Sequence, residues 1–134
     1  MTRNALTFML LSLLVAGCSG SADPINPLPP DVPLGIRVEN ATGRTFEAIT
    51  VQFSEQVENY GKLEAGAASE YRAVDEAYRY AAVEIDFGSA TARIQPVDFV
   101  GETLLPPGRY TYRFTPNLDG FNEFTFVDLS LVVD

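Results

Sequence analysis

From residue 34 onward the chain repeatedly alternates apolar and polar side chains with a period of two, a pattern that fits strands burying one face and fits little else. Ile36 and Val38 alternate with Arg37 and Glu39, and Ile49, Val51 and Phe53 with Thr50 and Gln52. Ala81, Val83, Ile85 and Phe87 alternate with Ala82, Glu84 and Asp86, and Tyr110, Tyr112 and Phe114 with Arg109, Thr111 and Arg113. Successive side chains on a strand point to opposite faces, so each run presents one apolar and one solvated side. Turn-forming residues separate the runs: Asn40-Ala41-Thr42-Gly43, Gly88-Ser89, Pro106-Pro107-Gly108 and Asn117-Leu118-Asp119-Gly120. About seven short strands in such a length predict an all-β fold, an antiparallel β-sandwich.

Two stretches complicate that expectation. In the last segment Phe124 and Phe126 share one parity while Val127, Leu129, Leu131 and Val133 share the other, so a bulge near Phe126-Val127 is expected to turn them all inward. So apolar a strand is hazardous at a sheet edge, and it is expected to pair on both sides. Tyr71, Val74, Ala77, Tyr78 and Ala81 follow helical spacing instead, which leaves a short helix at 70–77 open, with strand from Tyr78 onward.

Composition narrows the chemistry. With 134 residues there is room for one ordinary domain. The 18 Asp+Glu outnumber the 9 Lys+Arg, for a formal charge of -9, and such a chain repels the phosphates of nucleic acid. One Cys and no His leave no disulfide framework, Cys/His zinc site or His-dependent triad. Lys62 is the sole lysine and lacks the Ser-x-x-Lys spacing of a Ser-Lys dyad. No enzyme and no cofactor is therefore expected.

The N-terminus carries an address. Arg3 precedes an apolar run from Ala5 to Val15, eleven residues where a membrane span needs about 20, so residues 1–17 read as a signal peptide. The run ends in Val15-Ala16-Gly17-Cys18, which resembles the lipobox of bacterial lipoproteins. That resemblance implies cleavage between Gly17 and Cys18, a diacylglyceryl group on the Cys18 thiol and often an acyl chain (palmitate) on its new amine. Ser19, rather than Asp, after the Cys implies the outer membrane in Gram-negative members. Several acyl chains hold far more firmly than one, since burial contributes about 0.8 kcal/mol per CH2. From Cys18 to Pro33 follows a tether rich in Pro (Pro24, Pro27, Pro29, Pro30, Pro33), which in polyproline II geometry reaches on the order of 45 Å. The domain is then assigned to 34–134. Its Ile36-Arg37-Val38-Glu39-Asn40-Ala41 and Leu105-Pro106-Pro107-Gly108-Arg109-Tyr110-Thr111 resemble strand starts and turns of Ig-like and transthyretin-like envelope domains, a likeness that implies a fold and no activity.

Few residues stand out for chemistry. Glu84 and Asp86 share a strand face, but paired carboxylates there also fit an ordinary solvated surface. Asn117, Asp119, Asn122 and Glu123 surround Gly120 with oxygen side chains, a calcium site or more simply a hairpin turn. Arg72, Arg79, Arg109 and Arg113 each neighbour a tyrosine, and Arg with Tyr contributes most at protein interfaces. The loop or edge segment Gln95 to Glu102, interrupted by Pro96, is a second contact candidate. The leading expectation is a lipid-anchored cell-envelope module that binds another envelope protein or a polysaccharide. The alternative is a carboxylate-based carbohydrate-binding domain, a calcium-dependent domain or an enzyme.

Overall fold

The computed structural model describes residues 33–97, 101–117 and 127–134. Eight strands and no helix lie among them: β1 Leu34–Asn40, β2 Phe46–Phe53, β3 Gln56–Leu63, β4 Arg72–Ala73, β5 Ala82–Asp86, β6 Thr91–Ile94, β7 Gly108–Pro116 and β8 Val127–Val133. They form two four-stranded sheets, a front sheet in the order β4-β1-β7-β8 and a back sheet in the order β3-β2-β5-β6. The β-sandwich expected from the alternation is thus present, with one departure from the all-antiparallel picture. β1 pairs with β7 in parallel, Leu34 opposite Gly108 through Asn40 opposite Phe114. Local alternation is the same in parallel and antiparallel ladders, so the sequence carried no sign of it.

The alternating residues face where their period puts them. Ile36, Val38, Tyr112 and Phe114 of the front sheet and Ile49, Val51, Val83 and Ile85 of the back sheet are all buried. Phe46 meets Phe87 and Phe114 edge to face at 5.4 and 6.1 Å, and Phe53 stacks on Tyr112 at 5.9 Å, so aromatic rings join the two layers. Phe46 and Ile49, three residues apart, both point inward because the β2–β3 ladder shifts register between them. A second shift follows at Gly61, whose φ of +75° suits glycine and lets Tyr60 and Leu63 both turn into the core.

Three tyrosine and asparagine side chains bridge parts of the fold. The Tyr60 hydroxyl donates across the sandwich to the Ile36 carbonyl at 3.0 Å, and Tyr112 donates to the Tyr78 carbonyl. Asn40 is wholly buried and fully used. Its Nδ2 donates to the Arg44 carbonyl (2.7 Å) and, in the other sheet, to the Leu63 carbonyl (3.1 Å). Its Oδ1 accepts from the Thr42 amide (3.0 Å) and hydroxyl (2.6 Å), which closes the turn predicted at residues 40–43.

The helix considered at 70–77 does not form. That stretch runs along the free edge of β1: Ser69 N donates to Val38 O, Val74 N to Leu34 O, and Arg72 and Ala73 pair with Ile36 and Gly35. Backbone groups engaged in this way are lost to a helical ladder. The helical spacing instead marks an irregular strap between sheets, in which Val74, Ala77 and Ala81 turn inward. Strand resumes only at Ala82, not Tyr78, because the Tyr78 carbonyl is taken by Tyr112 rather than by a neighbouring strand.

β8 also departs from expectation. Among the described residues it pairs with β7 alone and stands at the front-sheet edge. Its register is unbroken from Val127 to Val133, with Val127, Leu129 and Leu131 packed inward. Val127, Leu129 and Leu131 go into the core rather than toward a second neighbour, whereas Val133, also expected inward, is 73% exposed at the end of the strand, and Asp128 and Ser130 stay exposed. Phe124 and Phe126 lie outside the described residues.

Asn40→Ala should lower stability by about 3 kcal/mol, because it removes the donor to the Leu63 carbonyl of the back sheet and the acceptor that holds the Thr42 turn, with the urea slope unchanged; a loss below about 1 kcal/mol contradicts the bridging role. Burial, reinforced at Tyr60 by the charge of Glu58, pushes the Tyr60 and Tyr112 phenols well above their ordinary value. Stability from these groups is complete below the unfolded-state value near pH 10 and declines above it, by about 1.4 kcal/mol per pH unit for each phenol. Urea midpoints measured between about pH 9 and 12 should be flat at first and then fall steeply.

Candidate functional site

The parallel β1–β7 ladder sets Arg37 opposite Thr111 and Glu39 opposite Arg113 on the outer face of the front sheet. Arg37 Nε donates to Thr111 Oγ1 at 2.8 Å, and that hydroxyl donates onward to Asp134 Oδ2 at 2.6 Å. Tyr71 donates its phenol to the same Asp134 oxygen at 2.7 Å, and Arg37 Nη2 reaches the other oxygen at 3.4 Å. One carboxylate thus gathers three side chains from β1, β7 and the strap beside β4. It is held there because the Asp134 amide donates to the Arg109 carbonyl at 3.1 Å, the last rung alongside β7.

The Tyr71 ring is flanked by guanidinium groups, Arg37 at 4.9 Å and Arg109 at 5.7 Å from its centroid. Cations over a ring face are attracted by its quadrupole, so Tyr71 keeps like charges in one place without a second carboxylate between them. Partial burial raises the Tyr71 phenol above its ordinary value; the hydrogen bond to Asp134 adds to the rise and Arg37 opposes it. Further along the face Arg113 Nε donates to Glu39 Oε2 at 2.7 Å, with both side chains still partly open to solvent. The result is an ordered lattice of three arginines, a tyrosine and two carboxylates on a rigid sheet. Such a surface offers hydrogen-bonding groups and an aromatic ring at its outer face, the residue types that contribute most at protein interfaces.

Of the four arginines singled out in the sequence, the fold brings two together on this face, Arg109 and Arg113. Arg72 lies on the opposite side of β4, at the sandwich edge, paired with Glu58 at 3.3 Å and 5.2 Å from the Tyr60 ring centroid. Arg79 is exposed in the strap before β5. Sequence reasoning missed Arg37, Thr111 and Asp134, and singled out Tyr71 only as the neighbour of Arg72. Arg37 and Thr111 were legible as outward residues of their strands, but their meeting depends on the parallel pairing.

Glu84 and Asp86 do share the outer face of the back sheet, where each is already engaged: Glu84 with Arg93 at 2.8 Å, and Asp86 with the Gly88 amide at 2.7 Å. Of the calcium candidates, Asn117 donates to Asp128 at 3.0 Å, while Asp119, Asn122 and Glu123 lie outside the described residues. Gly17 and Cys18 lie outside them as well, and so does part of the Gln95 to Glu102 segment. Among the described residues no group of three or more His, Cys, Asp or Glu is placed to hold a metal ion.

Compared with known proteins, the chain matches no family model, no curated protein and no solved structure.

In Asp134→Asn the Tyr71 phenol should titrate at lower pH than in the parent, because the charged acceptor that favours its neutral form is gone. Ultraviolet difference titration resolves this against Tyr71→Phe; an unchanged titration contradicts the hydrogen bond.

Proposed function

We propose that the chain is a lipid-anchored cell-envelope binding module, with a β-sandwich of Ig-like or transthyretin-like type displayed on a Pro-rich tether. Cys18 carries the lipid after cleavage at Gly17-Cys18, residues 18–33 span the distance to the domain, and the outer membrane is the destination that Ser19 favours. The partner is another envelope protein or a polysaccharide, and the domain acts by binding rather than by catalysis. Removal of residues 1–17 takes Arg3 away and leaves 8 Lys+Arg against the same 18 Asp+Glu, a formal -10, which supports the exclusion of nucleic acid.

The observation that supports a binding role is the Arg37-Tyr71-Arg109 arrangement with Arg113 on the same face. An acidic chain has placed three of its few cations on one sheet surface, in contact with a ring and two carboxylates that fix their positions. Preordered arginine and tyrosine side chains lose little freedom on association, which favours them as interface anchors.

Crosslinking in membranes followed by affinity purification tests this. The parent chain should recover a partner, and Arg109→Glu combined with Arg113→Glu should reduce its recovery by roughly tenfold. Unchanged recovery ends the case for this face. Cys18→Ala should move the chain from the membrane fraction to the soluble fraction; retention in the membrane contradicts the lipid anchor.

A further inference from the structure

The outer face of the back sheet carries a second surface with different chemistry. Gln52 stands opposite Val57 on one side and Ala82 on the other, and the next row holds Thr50, Glu84 and Arg93. Thr50 and Ala82 are short side chains on the two central strands, set between Gln52 and Glu84 of the same strands and Val57 and Arg93 of the outer ones. Two adjoining depressions result, of about 350 and 240 Å³, which share Gln52, Ala82 and Gln95. Tyr80, 45% exposed, lines the smaller one, and Val57, 59% exposed, lines the larger one.

We infer that this face is a binding site for an uncharged oligosaccharide. It rests on reading the domain as a binding module, but on residues separate from the arginine face. Three features select the occupant. The charges lining the larger depression, Glu84 and Arg93, lie 2.8 Å apart and offset each other, so the surface carries no net charge that would select an ionic ligand. The amides of Gln52 and Gln95 each offer donors and an acceptor, which matches hydroxyl groups that do both. The Tyr80 ring and the Val57 methyls supply the apolar surface that the C–H face of a sugar ring requires. Because the depressions adjoin through Gln52, Ala82 and Gln95 and are open to solvent, the occupant is a chain of linked rings laid across β2 and β5 rather than a single enclosed sugar, and the affinity is modest.

The experiment is a nuclear magnetic resonance titration of the full chain, isotopically labelled in detergent micelles. The probes are neutral hexasaccharides of glucose, mannose and N-acetylglucosamine in their common linkages, with polygalacturonate as the anionic comparison. At least one neutral hexasaccharide at millimolar concentration should shift the backbone amides of Gln52, Ala82 and Gln95. Tyr80→Ala and Gln52→Ala should each weaken that binding roughly tenfold, and dispersed parent-like spectra will show that both variants stay folded. Arg109→Glu with Arg113→Glu should leave it unchanged, which separates this site from the front-sheet face. The inference is overturned if every neutral hexasaccharide leaves these amides unmoved, if shifts map elsewhere, if polygalacturonate shifts them as strongly, or if both variants bind like the parent.

Discussion

Asn40 ends a strand inside the front sheet, and its side chain is fully engaged, with three backbone groups and the Thr42 hydroxyl. One buried amide fixes the turn into β2, through Thr42 and Arg44, and reaches the last residue of β3 in the opposite sheet. A buried polar group with every donor and acceptor satisfied specifies geometry more sharply than apolar packing, because any shift leaves an unpaired atom in a low dielectric. Apolar burial supplies the bulk of the stabilisation here, but methyl groups tolerate sliding. The amide sets how far β1 and the β2–β3 hairpin stand apart and at which height they meet.

The position of β1 determines the front face. Flanked by β4 on one side and by β7 in parallel on the other, it puts Arg37 beside Thr111 and Glu39 beside Arg113. The antiparallel β7–β8 ladder then delivers Asp134 to the same place. A one-residue slip of β1 against β7 would bury Arg37 and expose Ile36, which the core cannot accept. Register and surface chemistry are thus consequences of one another. The back face has no such network; there the short Thr50 and Ala82 leave depressions among Gln52, Gln95 and the Glu84–Arg93 pair.

The alternating runs were legible because period-two patterning reports burial directly, and the described strands β1, β2, β5 and β7 bury the residues it assigned inward. Turns at Asn40 to Gly43 and Gly88-Ser89 were legible from residue type. Pairing direction was not, since Ile36 and Val38 read identically beside a parallel or an antiparallel neighbour. The strap at 70–81 misled for a physical reason. Apolar residues three and four apart also arise where an irregular segment touches a core at intervals, and only its hydrogen bonds to β1 distinguish it from a helix. The site was half legible: Arg109 and Arg113 from their strand parity, but not the carboxylate or the ring that order them, because those come from distant parts of the chain. Asn40 was read as a turn residue, although its larger role is the bond to Leu63.

Amide hydrogen exchange of the unmodified chain addresses the central claim most directly. If the Asn40 side chain locks the two sheets together, its own Nδ2 protons and the Thr42 amide should exchange as slowly as the Val38 and Tyr112 amides in the core of the front sheet, opening only with global unfolding. Rapid exchange at Thr42 and at the Asn40 side chain, beside protected Val38 and Tyr112, would show that the turn opens independently and that packing alone sets the sandwich.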